Sequence, residues 1–457
     1  MITISTPQSG GVVQTVFDRI LVTNTGSVFG GVAGITAVAA GEYYIKVAGH
    51  VDGDFFGIAA HNSATGRFGS LFISATGTVT GVYGLQISGA MNTFTNLGTV
   101  EGGDIGLIID TNRGNTHVTA VNVGTIFSVE KAILIKSDAT FAADVTLRNT
   151  GTIIGGTVAF DGLDADSILR LNNSGEIYGN IETVGAVRIT NRGLIDGEIM
   201  SSDGADVIIN YGTITGIIST GGGLDEVYTT KSTSDVYIHL GAGDDVAYLG
   251  NGEEVVYGEA GLDAVSYEFK SAIVLNLANL GASRGAAAGD TFDGVEHFIG
   301  SNTGDDTMIG DALGNSFFGS DGDDQLFGGA GDDTLGGGFG TDRLTGGAGR
   351  DLFRFHADFY GADVITDFVR GNGRNGDKIA VQSLGFGDEL AVGKLAANAF
   401  RSGLDNLAQD ADDRFVFRTT DDTLWFDRDG VGGVYASVLL CTFANGINLA
   451  ASDILVF

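Results

Sequence analysis

Apolar residues recur every nine positions along one stretch of the chain: Met308, Phe317, Leu326, Leu335, Leu344 and Phe353, each between small or polar neighbours. One inward residue per short run predicts three-residue strands, which gain stability only by stacking. The sixes between them are rich in glycine, which accepts backbone angles that a Cβ forbids, so they predict turns. Units opening at Gly310, Gly319, Gly328, Gly337 and Gly346 read GDALGNSFF, GSDGDDQLF, GGAGDDTLG, GGFGTDRLT and GGAGRDLFR. Two such units form one coil with a turn on each side, so residues 18 apart stack. Asp306, Asp324 and Asp342 then fall on one edge, and Asn315, Asp333 and Asp351 on the other.

The first 220 residues carry a looser pattern, N-x-G-x-[IV], starting at Asn24, Asn96, Asn122, Asn149, Asn173, Asn191 and Asn210. Degenerate copies start at Val47 and Ala75, and the spacing drifts between about 18 and 28 residues. A fixed core with variable spacing predicts a parallel β-helix whose coils carry loops of different length. Asparagine at one place per coil predicts a ladder of side-chain amides. An antiparallel sandwich also has short strands and frequent turns, but it does not predict the same turn sequence in each repeat. Residues 1–20 are the expected cap on the exposed end of the solenoid.

Charge sharpens this picture. The chain has 457 residues and a net charge of −33. That excludes nucleic acid as a partner, because phosphate binding needs a basic surface, and it argues against bare anionic lipid. The single cysteine, Cys441, excludes an internal disulfide. The N-terminus lacks the basic-then-apolar pattern of a cleavable leader, and no run is apolar enough to predict a transmembrane segment.

Stacked carboxylates about 4.8 Å apart repel one another unless a cation lies between them. Carboxylates with the carbonyls of a glycine turn form the oxygen-rich donor set that calcium prefers; magnesium demands a smaller, more rigid octahedron. The repeat G-G-x-G-x-D-x-U-x resembles the hemolysin-type calcium-binding repeats of RTX proteins, which bacteria export by type I secretion. The resemblance implies a parallel β-roll holding several Ca2+ ions between successive turns.

Carried over residue by residue, the resemblance implies four sites. One is Gly329, Gly331 and Asp333 with Gly346, Ala348 and Asp351. A second is Ser320, Gly322 and Asp324 with Gly337, Phe339 and Asp342. A third is Asn302, Gly304 and Asp306 with Gly319, Asp321 and Asp324. A fourth joins Asp311, Leu313 and Asn315 to Gly328, Ala330 and Asp333, with Asn315 standing where the pattern has an acid. A weaker block precedes them around Asp225, Asp245, Glu254 and Asp263, and Asp363 and Asp367 are candidates to close the last site. Ser266 to Gly300 resembles the insert that separates repeat blocks in this family. The segments after Phe355 resemble the flank that follows the repeats, and the ending Asp-Ile-Leu-Val-Phe resembles a type I export signal.

The expected architecture is all-β. A parallel β-helix occupies 1–220, a calcium-binding β-roll 221–355 with an insert at 267–300, and a small β region 356–457. Because β-helices often carry polysaccharide-active enzymes, catalytic patterns bear on function. Residues 1–220 contain no Asp-Asp pair, Gly-His-Gly or Arg-Ile-Lys, and the only proline is Pro7. The acidic groups Asp161, Asp164, Asp166 and Asp203, Asp206 read as solvated turns. The run from Gly281 to Gly285 matches G-x-S-x-G, but no long helix follows it, so it reads as coincidence. Asp427 to Gly430 resembles the opening of an EF-hand loop and reads as a hairpin turn. The expected function is that of a secreted, cell-surface-associated structural protein without enzymatic activity: a surface layer, matrix component or adhesin. Self-assembly and a cell-surface polysaccharide are its candidate partners. The alternative is an extracellular polysaccharide lyase, hydrolase or epimerase.

Overall fold

The computed structural model describes the chain except residues 1, 5, 11, 15–18, 30–32, 40–42, 63–68, 90, 112–116, 138–142, 163–165, 233, 358–360, 372–375 and 387–389. Part of the expected cap at 1–20, and Asp164, therefore lie outside the described residues. Two compact units are present: Met1–Ala247 with Val255–Gly261, and Tyr248–Glu254 with Leu262–Phe457. Among the described residues, no helix is long and apolar enough to cross a membrane.

The first unit is a three-faced parallel solenoid. On one face, strands including Met91–Asn96, His117–Asn122, Asp144–Asn149, Ile168–Asn173, Ala186–Asn191 and Val207–Asn210 stack in parallel register. The second face is built on the motif itself. Its closing residue forms a continuous column: Val28, Val51, Val79, Val100, Ile126, Ile153, Ile177, Ile195 and Ile214. Every member has no exposed surface. A third column runs from Ile35 through Leu107, Ile133, Phe160 and Ile218 to Val256. Branched side chains predominate in all three, where they pack in layers on the pleated surface.

At the corner between the first two faces, the predicted amide ladder is present. The side-chain NH2 of Asn96 donates to Asn122 Oδ1 at 2.8 Å. The chain of bonds continues through Asn149, Asn173 and Asn191 to Asn210, at 2.8–2.9 Å. All six are buried. The motif glycine is required by close approach: a Cβ on Gly124 would run into the carbonyl of Gly98.

The second unit is a two-faced roll. On one side Ala264–Ser266, His297–Ile299, Ser316–Asp321, Thr334–Phe339, Leu352–Phe355, Lys378–Val381 and Ile454–Val456 pair in parallel. Opposite lie Val274–Asn276, Thr307–Ile309, Gln325–Ala330, Arg343–Ala348, Asp363–Ile365 and Val438–Phe443. The nine-residue apolar series alternates between the two sheets, and all six members are buried. The second sheet ends differently: Thr423–Phe426 and Phe415–Arg418 join it in antiparallel pairings. The Asp427–Gly430 segment belongs to the hairpin connection there, with Asp429 accepting the amide of Val434 at 2.7 Å.

The insert completes a coil of the roll. Val274–Asn276 and His297–Ile299 fall on the two opposite sheets, and the excursion between them contains two short 3-10 turns. Ser283 of the G-x-S-x-G match is buried there, and its hydroxyl accepts the Asn276 amide at 3.1 Å.

Candidate metal centre

Asp306, Asp324, Asp333, Asp342 and Asp351 each stand two residues before an inward apolar residue, and the backbone N–H of each points along the stack. That N–H meets the carboxylate one coil further on. On one edge Ile273 donates to Asp306 Oδ1 at 2.7 Å, Asp306 to Asp324 at 2.6 Å, Asp324 to Asp342 at 2.8 Å, and Asp342 to Asp363 at 3.1 Å. On the other edge Asn315 donates to Asp333 at 2.8 Å, Asp333 to Asp351 at 3.0 Å, and Asp351 to Asp377 at 3.0 Å.

This bond uses one oxygen of each carboxylate. The second oxygen, Oδ2, of Asp324, Asp333, Asp342 and Asp351 is buried and has no hydrogen-bond partner. A buried carboxylate oxygen without a partner is strongly unfavourable. Its surroundings indicate what relieves it. A Cβ on Gly337 would collide with Asp342 Oδ2, and one on Gly328 would lie against Asp333 Oδ2 and 2.6 Å from the Gly346 carbonyl. The unpaired carboxylate oxygen and a carbonyl of the next coil therefore face the same small space. Left-handed residues shape the turn, with φ of +104° at Gly329 and +117° at Gly331. Ser320 takes the same conformation at +86° despite carrying a side chain.

The electrostatics agree. Burial pushes Asp324 up to about 7 and both Asp342 and Asp351 up to about 6. It also raises Asp306 and Asp333, and Asp363 rises well above the usual range. In each case the bond from a backbone N–H opposes the shift without cancelling it. A hard cation in the turn stabilises the charged forms. Among the described residues no three His, Cys, Asp or Glu side chains gather as a metal cluster. The donor set is instead carboxylate plus backbone carbonyl, which suits calcium and not a transition metal.

A family model for the RTX calcium-binding nonapeptide repeat, in four copies, matches residues 237–265, 301–335 and 318–353. The roll carries RTX calcium-binding nonapeptide repeats. No curated protein matches it in sequence. The matched segments coincide with the aspartate stacks of the roll, and their ligand is Ca2+. The unpaired oxygens that would hold it are those of Asp324, Asp333, Asp342 and Asp351, whereas both oxygens of Asp306 accept hydrogen bonds and Asn315 Oδ1 accepts the Asp311 amide at 2.9 Å. When bound, the ion supplies positive charge and fills the coordination of the unpaired oxygens.

Several assignments are refined by the geometry. Asp363 lies on the stack as expected, whereas Asp367 accepts the amides of Gly346 and Gly347 at 2.9 and 2.8 Å through both its oxygens. Asp245 receives the amide of Asp225 at 2.7 Å, extending the same pattern into the first unit. Asp206 is a correction: it is fully buried, not a solvated turn, and it heads that stack by accepting the Val187 amide at 2.7 Å and donating its own N–H to Asp225 at 2.8 Å. Burial pushes Asp206 up to about 7. Its neighbour Asp203 is exposed as expected. Asp377 was missed because it follows Asp351 by 26 residues, out of phase with the repeat. The available signal was local: Asp377-Lys378-Ile379 and Asp206-Val207-Ile208 both carry the D-x-U tripeptide of Asp333-Thr334-Leu335.

For two acids before the insert, the accepting carboxylate comes from the insert itself. Asp263 donates its amide to Glu296 at 3.0 Å. Glu254 donates to Asp290 at 2.9 Å, and the second oxygen of Asp290 accepts the Tyr267 hydroxyl at 2.6 Å. Lys270 is buried beside this pair: burial lowers its pKa, and the charges of Glu254 and Asp290 oppose that shift. Lys270 thus places one positive charge near the Glu254–Asp290 pair.

Proposed function

We propose that this RTX protein is secreted and acts outside the cell as a non-enzymatic structural component, in a surface layer, a matrix or an adhesive coat. The observation that carries the reading is the stack of buried carboxylates with unpaired oxygens. A chain with this stack is unstable where calcium is scarce, as in the cytosol, and folds where calcium is plentiful. Calcium binds the folded roll and shifts the equilibrium by mass action. The asparagine ladder gives the first unit a calcium-independent means of support, so one part of the chain is a permanent rod and the other a conditional one. A net charge of −33 keeps copies apart until divalent cations bridge them.

The test is light scattering during a calcium titration, run beside circular dichroism. Assembly is expected to require more calcium than folding does and not to be rescued by sodium at equal ionic strength. Protein that folds but stays monomeric at millimolar calcium and high concentration contradicts the structural reading. Release of unsaturated or reducing ends from an acidic polysaccharide would favour the enzymatic alternative.

A further inference from the structure

The outer face of the first sheet of the roll is interrupted by a hollow of about 460 Å³. Its cause is Gly336. Register places Phe318 one strand before Gly336, and the Arg354 strand follows it. With no side chain at the middle rung, Phe318 and Arg354 flank the gap, and Ser316 and Thr334, two positions back on the same face, also line it. Beyond them His356 meets Phe318 edge-on, with ring centres 5.4 Å apart.

The charge in this hollow is anomalous for so acidic a chain. No carboxylate lines it. Among the described residues Arg354 has no ion-pair partner; its guanidinium lies over the Phe457 ring, 4.4 Å from the centre. Burial lowers the Arg354 pKa with no acidic neighbour to offset it. The Nδ1 of His356 is buried and has no hydrogen-bond partner. A partly desolvated guanidinium beside an aromatic wall offers recognition to an anion with a flat apolar body.

We propose that the Gly336 hollow binds a small organic carboxylate carried on a six-membered ring, the ring lying against Phe318 and the carboxylate pairing with Arg354. Both an acidic sugar and an alicyclic or aromatic acid have this chemistry. Glucuronate and cyclohexanecarboxylate are therefore the two probes, with methyl glucoside and cyclohexanemethanol as their uncharged counterparts. Each is titrated calorimetrically into the full chain saturated with calcium.

Binding of either carboxylate in preference to its uncharged counterpart is expected, and the arm that binds identifies the source. Arg354→Gln should weaken it by about tenfold, the loss of one charge-assisted pair. Gly336→Leu should abolish it by filling the hollow. Calcium stoichiometry should be unchanged in both variants, which separates loss of the site from loss of the fold. The proposal is overturned if neither carboxylate saturates in the millimolar range, if the uncharged counterparts bind equally well, or if both variants bind like the parent.

Discussion

Replacing Asn149 by alanine isolates what the amide ladder contributes. Asn149 accepts from Asn122 and donates to Asn173, each at 2.8 Å, and also reaches the Gly151 carbonyl at 3.1 Å. Its removal deletes two buried ladder bonds. Asn122 keeps weaker bonds to the Gly124 and Thr152 carbonyls, both at 3.2 Å, so it is not wholly stranded. At about 1 kcal/mol per lost bond, and about 1 kcal/mol more for the cavity, Asn149→Ala should cost about 3 kcal/mol. Asn210 is the internal control. It ends the ladder, accepts one such bond from Asn191 at 2.9 Å, and its own NH2 is buried without a partner. Asn210→Ala removes that unsatisfied donor along with the ladder bond and the 3.1 Å bond from the Gly212 amide, and relief of the first offsets part of the loss, so it should cost about 1 kcal/mol. Urea unfolding of calcium-saturated protein gives the ranking. Hydrogen exchange across Asp144–Asn149 and Ile168–Asn173 localises the damage, because a solenoid can open regionally. Equal costs for the two substitutions would refute the ladder as a source of stability.

Four further outcomes follow from the roll. In the metal-free protein, raised aspartate pKa values mean that the folded state binds more protons than the unfolded one, whose carboxylates titrate near about 4. Stability without calcium should therefore fall as pH rises from about 4 to 7, through the values of Asp342, Asp351 and Asp324, and circular dichroism in chelator at pH 5 and pH 8 checks this. Protons compete with the ion for the same oxygens, so the calcium needed for half-saturation should drop over the same interval. Gly337→Ala places a methyl against Asp342 Oδ2 and should lower the calcium stoichiometry measured by equilibrium dialysis, whereas a substitution at exposed Asp203 should leave it unchanged. Asp333→Ala removes an unpaired carboxylate oxygen and the acceptor for the Asn315 amide, and calorimetry should register weaker calcium binding than in the parent protein.

Much of this fold was legible because its repeats carry their own phase. The nine-residue apolar series placed alternate residues on opposite sheets, and the N-x-G-x-[IV] motif located both the ladder and the inward column from Val28 to Ile214. Legibility failed where coils change length. Asp377 and Asp206 belong to the stacks, yet they sit outside the regular spacing, because loops between turns are free to lengthen while each D-x-U tripeptide keeps its local geometry. The hollow at Gly336 was hidden for another reason. It depends on which outward side chains become neighbours across strands, and glycine at that position reads in sequence as one more turn residue.

The central claim is that buried carboxylates make the roll conditional on calcium while the asparagine-laddered solenoid is not. Amide hydrogen exchange of the full chain with calcium and with chelator tests it most directly. The account predicts that the amides of Asp324, Asp333, Asp342 and Asp351 are protected only when calcium is present, and that those of His117–Asn122 through Ala186–Asn191 are protected in both conditions. Roll amides that remain equally protected in chelator at neutral pH would contradict it.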